Sequence, residues 1–260
     1  MSNAPQCSIN FLLAREAPVG VLFRRGPSKI CQCLHWDLET DEVTPGQWLK
    51  AKLHLERSDL SPNGKLFVYL AADYTPKDDW MESAWTAISR PPYFTALGLW
   101  FKGNTYYGGG LFESDDRVLI NDLDGHQYSK KHTKPKIKVG WFTLSSDYTE
   151  ADRMIRDGWT GDRKRHPRVM TKTVDDIEVT ETVGSRKYQE FRDYTASING
   201  LRVDVRGAKQ VDIDAPRSRL VYSVGGKLLA HDGTSVKEIA DLTENKFEPV
   251  PPPDWAKQWP

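Results

Sequence analysis

Leu60-Ser61-Pro62-Asn63-Gly64-Lys65-Leu66-Phe67-Val68-Tyr69 is the stretch on which the fold turns. Pro-Asn-Gly is turn chemistry: proline fixes φ at the bend, and asparagine and glycine accept the left-handed backbone of a tight reversal. The apolar and aromatic run that follows reads as a strand. Asp214-Ala215-Pro216-Arg217-Ser218-Arg219-Leu220-Val221-Tyr222 repeats this turn-then-strand unit with one residue fewer after the proline. Asp115-Asp116-Arg117-Val118-Leu119-Ile120 is a third, shorter copy. His35-Trp36-Asp37-Leu38-Glu39-Thr40 and Leu99-Trp100-Phe101-Lys102-Gly103 match each other as a second kind of unit, a strand end.

Outward from these units, short segments with strand character recur. In the first half they are Ser8–Leu13, Gly20–Arg25, Ile30–Leu38, Trp48–Glu56, Leu66–Ala71 and Thr95–Phe101. Beyond lie Val118–Asn121, Ile137–Leu144, Arg168–Thr173, Ile177–Thr182, Leu201–Val205, Leu220–Val224 and Lys227–Ala230. Gly26-Pro27, Pro45-Gly46, Asp124-Gly125 and Asp232-Gly233 punctuate them as turns. No long segment carries the helical i, i+3, i+4, i+7 pattern. Two short helices are expected, Tyr148–Asp157 with a cap at Ser146 or Asp147, and Tyr188–Thr195. Many short strands at such spacing indicate a sandwich, a barrel or a propeller.

The segments LSPNGKLFVYLAAD at 60–73, TALGLW at 95–100 and HWDLET at 35–40 resemble the S-P-D-G-K and W-D-L elements of WD-repeat and TolB-type propellers. The resemblance covers about half the chain. It implies an all-β fold, a small β-propeller of five or six blades at about 40–45 residues each. One or two short helices would lie in an insert. In those families the blade signature is structural, so the resemblance implies a fold and no activity. The chain is therefore expected to be one domain over residues 1–260, with a basic insert at about 126–172.

Composition bounds the function. The chain has 260 residues, 36 Lys and Arg against 36 Asp and Glu, and a mean hydropathy of -0.60. A neutral chain has no net field to draw it to nucleic acid or an anionic membrane. The charge is uneven: residues 36–82 hold ten acids against five bases, and residues 130–172 hold twelve bases against five acids. The basic stretch reads first as a solvated insert and second as an acid- or phosphate-binding face. Three cysteines, Cys7, Cys31 and Cys33, argue against a disulfide framework and suit a reducing compartment. The first twenty residues lack the basic region of a signal peptide, and no stretch approaches the ~18 apolar residues of a membrane span. Cytoplasmic location, with no membrane partner, is the expectation.

Cys31, Cys33 and His35 alternate on one face of a strand. Alternate positions lie ~6.6 Å apart, so an extended strand cannot bring all three to one metal. They read as core, and no metal or cofactor is expected. Gly108-Gly109-Gly110 reads as a tight bend, and Asp122-Leu123-Asp124-Gly125 as turn chemistry without the downstream oxygen ligands of a calcium loop. No nucleophile elbow or glycine-rich phosphate loop is present.

The candidate binding residues are Trp85, Arg90, Tyr93 and Arg25. Arg90 precedes Pro91-Pro92, which restrict the chain to an extended loop, and aromatics flank it. Arginine, tryptophan and tyrosine dominate binding hot spots because they combine area with directed donors. Arg25 follows Arg24, and adjacent strand residues face opposite ways, so at most one serves a given site. The expected function is a non-catalytic binding or scaffold module whose partner is another protein or a small molecule. The alternative is a carbohydrate- or lactone-directed hydrolase or lyase using Asp73, Asp115 and Asp116 with Arg90 or a histidine; catalytic residues are otherwise unknown. Nucleic-acid binding through residues 130–172 is the weakest reading, since few aromatics interleave those bases.

Overall fold

The structure is a computed structural model that describes residues 7–27, 29–122, 135–143, 146–187 and 189–260, with the side chains of 146–148 left aside. It is all-β, with one α-helix among the described residues. The first sheet runs β1 (Ser8–Leu13), β2 (Val19–Arg25), β3 (Ile30–Asp37) and β4 (Val43–Lys50). The second runs β5 (Lys52–Leu60), β6 (Phe67–Ala72), β7 (Ala84–Ser89) and β8 (Ala96–Phe101). The third has β9 (Gly110–Ser114), β10 (Arg117–Asn121) and β11 (Lys138–Phe142). Helix α1 (Ser146–Arg156) precedes the fourth sheet: β12 (Thr160–Gly161), β13 (Arg168–Val174), β14 (Ile177–Arg186), β15 (Gln189–Ile198) and β16 (Leu201–Val203). The fifth is β17 (Gln210–Asp214), β18 (Arg219–Val224), β19 (Lys227–His231) and β20 (Val236–Asp241). Each sheet is made of strands consecutive in the chain. The described registers are antiparallel except β10 with β11, which is parallel.

The described residues gather into two compact units, one of 11–150 with 246–260, the other of 151–245 with the chain through Asn10. In the first unit all six residues of β6 are buried. That continuous apolar run is what a strand covered on both faces requires. Phe23, Cys33, Phe67 and Tyr69 fill one cluster, and Val68, Ile88, Trp100 and Phe112 another. Gly109 sits at φ +77, and a Cβ there would lie 2.0 Å from the Arg57 carbonyl. Only glycine permits that approach, so the three-glycine run is a tight bend. In the other unit Met170, Val179, Ile213 and Leu220 form the core. Ser223 Oγ donates to the Ile9 carbonyl at 2.7 Å there.

Helix α1 overlaps the expected Tyr148–Asp157 but starts two residues earlier, at Ser146; it turns Ala151 and Met154 inward and stops before Gly158 at φ +92. The caps expected at Ser146 or Asp147 lie outside the described side chains. Two expectations need correction. Tyr188–Thr195 is not a helix: from Gln189 it is β15, paired with β14 over ten residues. Arg192, Tyr194, Ala196 and Ile198 turn inward, and the more exposed Asp193 and Thr195 alternate with them, a period of two. Trp48–Glu56 is not one strand: it breaks at Ala51, and its halves join different sheets. Of the basic insert expected at about 126–172, residues 126–134 lie outside the described residues. No helix among the described residues is long and apolar enough to cross a membrane.

Candidate functional site

β7 delivers the chain to Arg90, and the next five residues are fastened from below. Tyr93 N–H donates to the Arg90 carbonyl at 2.9 Å, closing a turn over the two prolines. Gln47 of β4 clamps both sides of it. Its N–H donates to the Pro92 carbonyl at 2.9 Å, and its Oε1 accepts from Phe94 N–H at 2.8 Å. Tyr69 donates its hydroxyl to the Phe94 carbonyl at 3.1 Å. A Cβ on neighbouring Gly46 would lie 2.2 Å from the Pro92 carbonyl, so glycine is what lets β4 approach this closely. Arg90 and Tyr93 thus project from a loop with little freedom left to lose on binding.

Trp255 and Gln258, in the last segment of the chain, meet this loop. Arg90 Nη1 donates to the Trp255 carbonyl at 2.9 Å and to the Gln258 carbonyl at 3.4 Å. Its guanidinium stands 4.8 Å from the centre of the Trp255 ring. Tyr93 meets that ring edge-on at 5.2 Å and 79°. Burial lowers the Arg90 pKa, and a guanidinium stays charged through such a change. Earlier in the segment, Phe247 lies edge-on to Trp48 of β4 at 5.9 Å and 4.4 Å from Lys50 Nζ. Trp259 packs against the cluster of Val68, Ile88 and Trp100. The arrangement can hold a peptide segment by aromatic contacts, cation–π contacts and donation to main-chain carbonyls.

Trp85 is not part of this loop. It lies within β7, opposite Ala71 and Phe101, and packs on the Phe67–Tyr69 cluster. Five strand residues put it about 16 Å from Arg90. Arg25 ends β2 on another hairpin, opposite Cys31. Its neighbour Arg24 is buried and stands 5.6 Å from the Trp48 ring, so the two arginines do part as alternation demands. Sequence reasoning missed Trp48, Lys50, Phe247 and Trp255. Five prolines and two tryptophans in residues 249–260 were the available signal for the segment.

The groups considered for catalysis are occupied locally. Asp115 accepts from Asn63 N–H at 2.9 Å, before β6, and Asp73 follows β6, so that strand of about 20 Å separates them. Lys77, then Thr75, hold the Asp73 carboxyl down to about 2. Hydrogen bonds from Ser114 and Lys138 lower Asp116 as well. Depressed carboxyls of this kind are poor general acids at neutral pH. His54 Nδ1 is 2.9 Å from Glu56 Oε1, and Ser58 gives its hydroxyl to the His54 carbonyl, not the ring. These three form no nucleophile relay.

Cys31 and Cys33 are core residues, and burial pushes the Cys31 thiol up to about 12. Lys138, Arg163, Arg168 and Lys172 of the basic stretch each pair with an acid: Asp116, Asp152, Glu181 and Asp212. Among the described residues no three His, Cys, Asp or Glu side chains gather as a metal site.

No protein-family model matches the chain, and no curated protein matches it. Among solved structures it is similar to the apo form of the AtxE2 isopeptidase, at 11% identity and a TM-score of 0.29, over 90% of this chain and 46% of that one. Likeness at that level carries no argument about fold or function, and what the chain does is argued from its own residues.

Proposed function

We propose that the chain is a non-catalytic binding or scaffold module, a small β-propeller of five blades that presents the Arg90–Tyr93 loop to another protein in the cytoplasm. The observation that carries this reading is the fastened loop itself, whose arginine and tyrosine already grip the short turn Asp254–Lys257 that follows a proline-rich stretch. Five sheets of consecutive strands support the propeller. So does the position of the repeated turn unit, which comes before the second strand of the second, third and fifth sheets alike. Three sparse cysteines, Cys7, Cys31 and Cys33, suit a reducing compartment.

The test is a displayed random-peptide library, panned on the full chain and on a full-length Trp255→Ala/Trp259→Ala variant. Peptides should be enriched whose affinity falls at least tenfold on Arg90→Ala, with the fold intact by circular dichroism. Enrichment of no peptide, or of peptides indifferent to Arg90, refutes the reading.

A further inference from the structure

We propose that residues 246–260 are a built-in ligand, and that the surface they cover receives, from a partner protein, a proline-rich segment followed by a short turn, with tryptophans four residues apart. The inference rests on the binding-module reading and names its partner class.

The segment has the character of a docked peptide. Glu248-Pro249-Val250-Pro251-Pro252-Pro253 belongs to no sheet, and a single short turn, Asp254–Lys257, follows it. Proline-rich chain is already extended before it binds, so docking it orders little. Most of the segment is exposed: Phe247 keeps 42% and Trp255 45% of its surface in water. Attachment comes from a few points, namely Phe247 on Trp48 and Lys50, Trp255 on Arg90 and Tyr93, the buried Ala256, and Trp259 on the apolar cluster.

Chain held by so few buried contacts, with no ladder of backbone hydrogen bonds, belongs to the low-stability end of local opening. The surface beneath does not depend on the segment for its shape, because Gln47 and Tyr69 fasten the loop from the other side. Arg90 donates to two carbonyls, which any peptide offers, so recognition of the main chain transfers to a second molecule. The aromatic contacts supply the choice of sequence.

A tethered ligand competes with a free one. The apparent affinity for an incoming peptide is lowered by the fraction of time the surface is open. Loosening the tether must therefore strengthen binding in trans, the reverse of what a structural tail would do.

The test is fluorescence anisotropy with a labelled synthetic peptide of residues 246–260 and full-length protein. The Trp255→Ala/Trp259→Ala variant should bind it at least tenfold more tightly than the wild-type chain. Arg90→Ala in that background should lose at least tenfold, and a peptide lacking both tryptophans should not bind. Equal binding to wild type and variant, or binding to neither at millimolar peptide, overturns the inference. So does a tail-exchanged dimer of the wild-type chain in light scattering, which makes a second copy the occupant. If the double variant does not fold, Trp255→Ala alone, whose ring is half exposed, carries the comparison. Library peptides that need Arg90 while this peptide fails would leave the binding module standing and remove its ligand class.

Discussion

Arg90 spends its donors on its own chain, and that fixes what its removal costs. One amino group serves two carbonyls, and the plane of the group lies against Trp255. Charge-assisted hydrogen bonds and a cation–π contact at a half-exposed site make Arg90→Ala worth about 1–2 kcal/mol of stability. Urea unfolding measures it, and a loss above about 4 kcal/mol would make Arg90 a core residue and remove it from the binding surface. The thiols give a second prediction at this scale. Cys31 and Cys33 are fully buried, burial raises both, and the thiolate is the reactive form. Cys7 is half-buried. A thiol reagent at pH 8 should modify at most Cys7 in the native chain and all three cysteines in guanidinium. Fast native labelling of two or three cysteines contradicts this placement.

At the scale of elements, β1 has the most to test. Phe11 is 2% exposed and meets Trp36 edge-on at 6.4 Å, whereas Asn10 is only half-buried. Phe11→Ala should cost about 3–5 kcal/mol. Asn10→Ala, whose amide makes only a long bond to Gln210 at 3.4 Å, should cost less than about 1 kcal/mol. Equal costs would mean that β1 is not packed by alternation.

The same physics explains what the sequence disclosed. Strands read correctly, such as β2, β3, β6 and β18, lie inside their sheets and are rich in apolar residues. Most of those missed or cut short, β4, β5, β9, β12, β17 and β20, lie at sheet ends, although the end strands β1, β8, β11 and β16 are legible. An edge strand has one neighbour and a polar outer side, so its periodicity fades. Pro45-Gly46 of β4 reads as a turn for this reason, since proline without its N–H is tolerated on an edge. β7, β14 and β15 are the interior exceptions: Ala84–Ser89 mixes small and polar residues, β14 runs beyond Thr182 through Gly184-Ser185-Arg186, and β15 carries too few apolar residues to announce its period. Half of the site was legible, because two prolines beside an arginine mark a stiff loop. Its other half comes from residues 165 and 168 positions away, and no local pattern encodes a contact of that span.

For the whole molecule, balanced charge leaves the response to pH to individual carboxylates. Asp73, Asp204 and Asp241 are each held down to about 2 from 3.8, chiefly by Lys77, Arg206 and Thr243 respectively. Backbone N–H groups of Ser235 and Thr234 lower Asp232 further. A carboxyl lowered by folding binds more protons in the unfolded chain between the two pKa values, so stability rises with pH through that window. What these groups contribute is complete above about pH 5 and is lost as pH falls through 4 towards 2. Melting temperature should therefore be level from pH 6 to 5 and fall steeply below 4. Asp73→Asn/Asp204→Asn/Asp241→Asn should flatten the fall without moving its start. Salt separates the causes: about 1 M sodium chloride shortens the Debye length to about 3 Å and weakens exposed pairs such as Asp204 with Arg206. It leaves the hydrogen bonds from the Ser235 and Thr234 main chain to Asp232 in place. Asp232→Asn should thus reduce the acid sensitivity that remains at high salt, and a fall equally steep in Asp232→Asn and wild type at 1 M salt would assign it to other carboxylates.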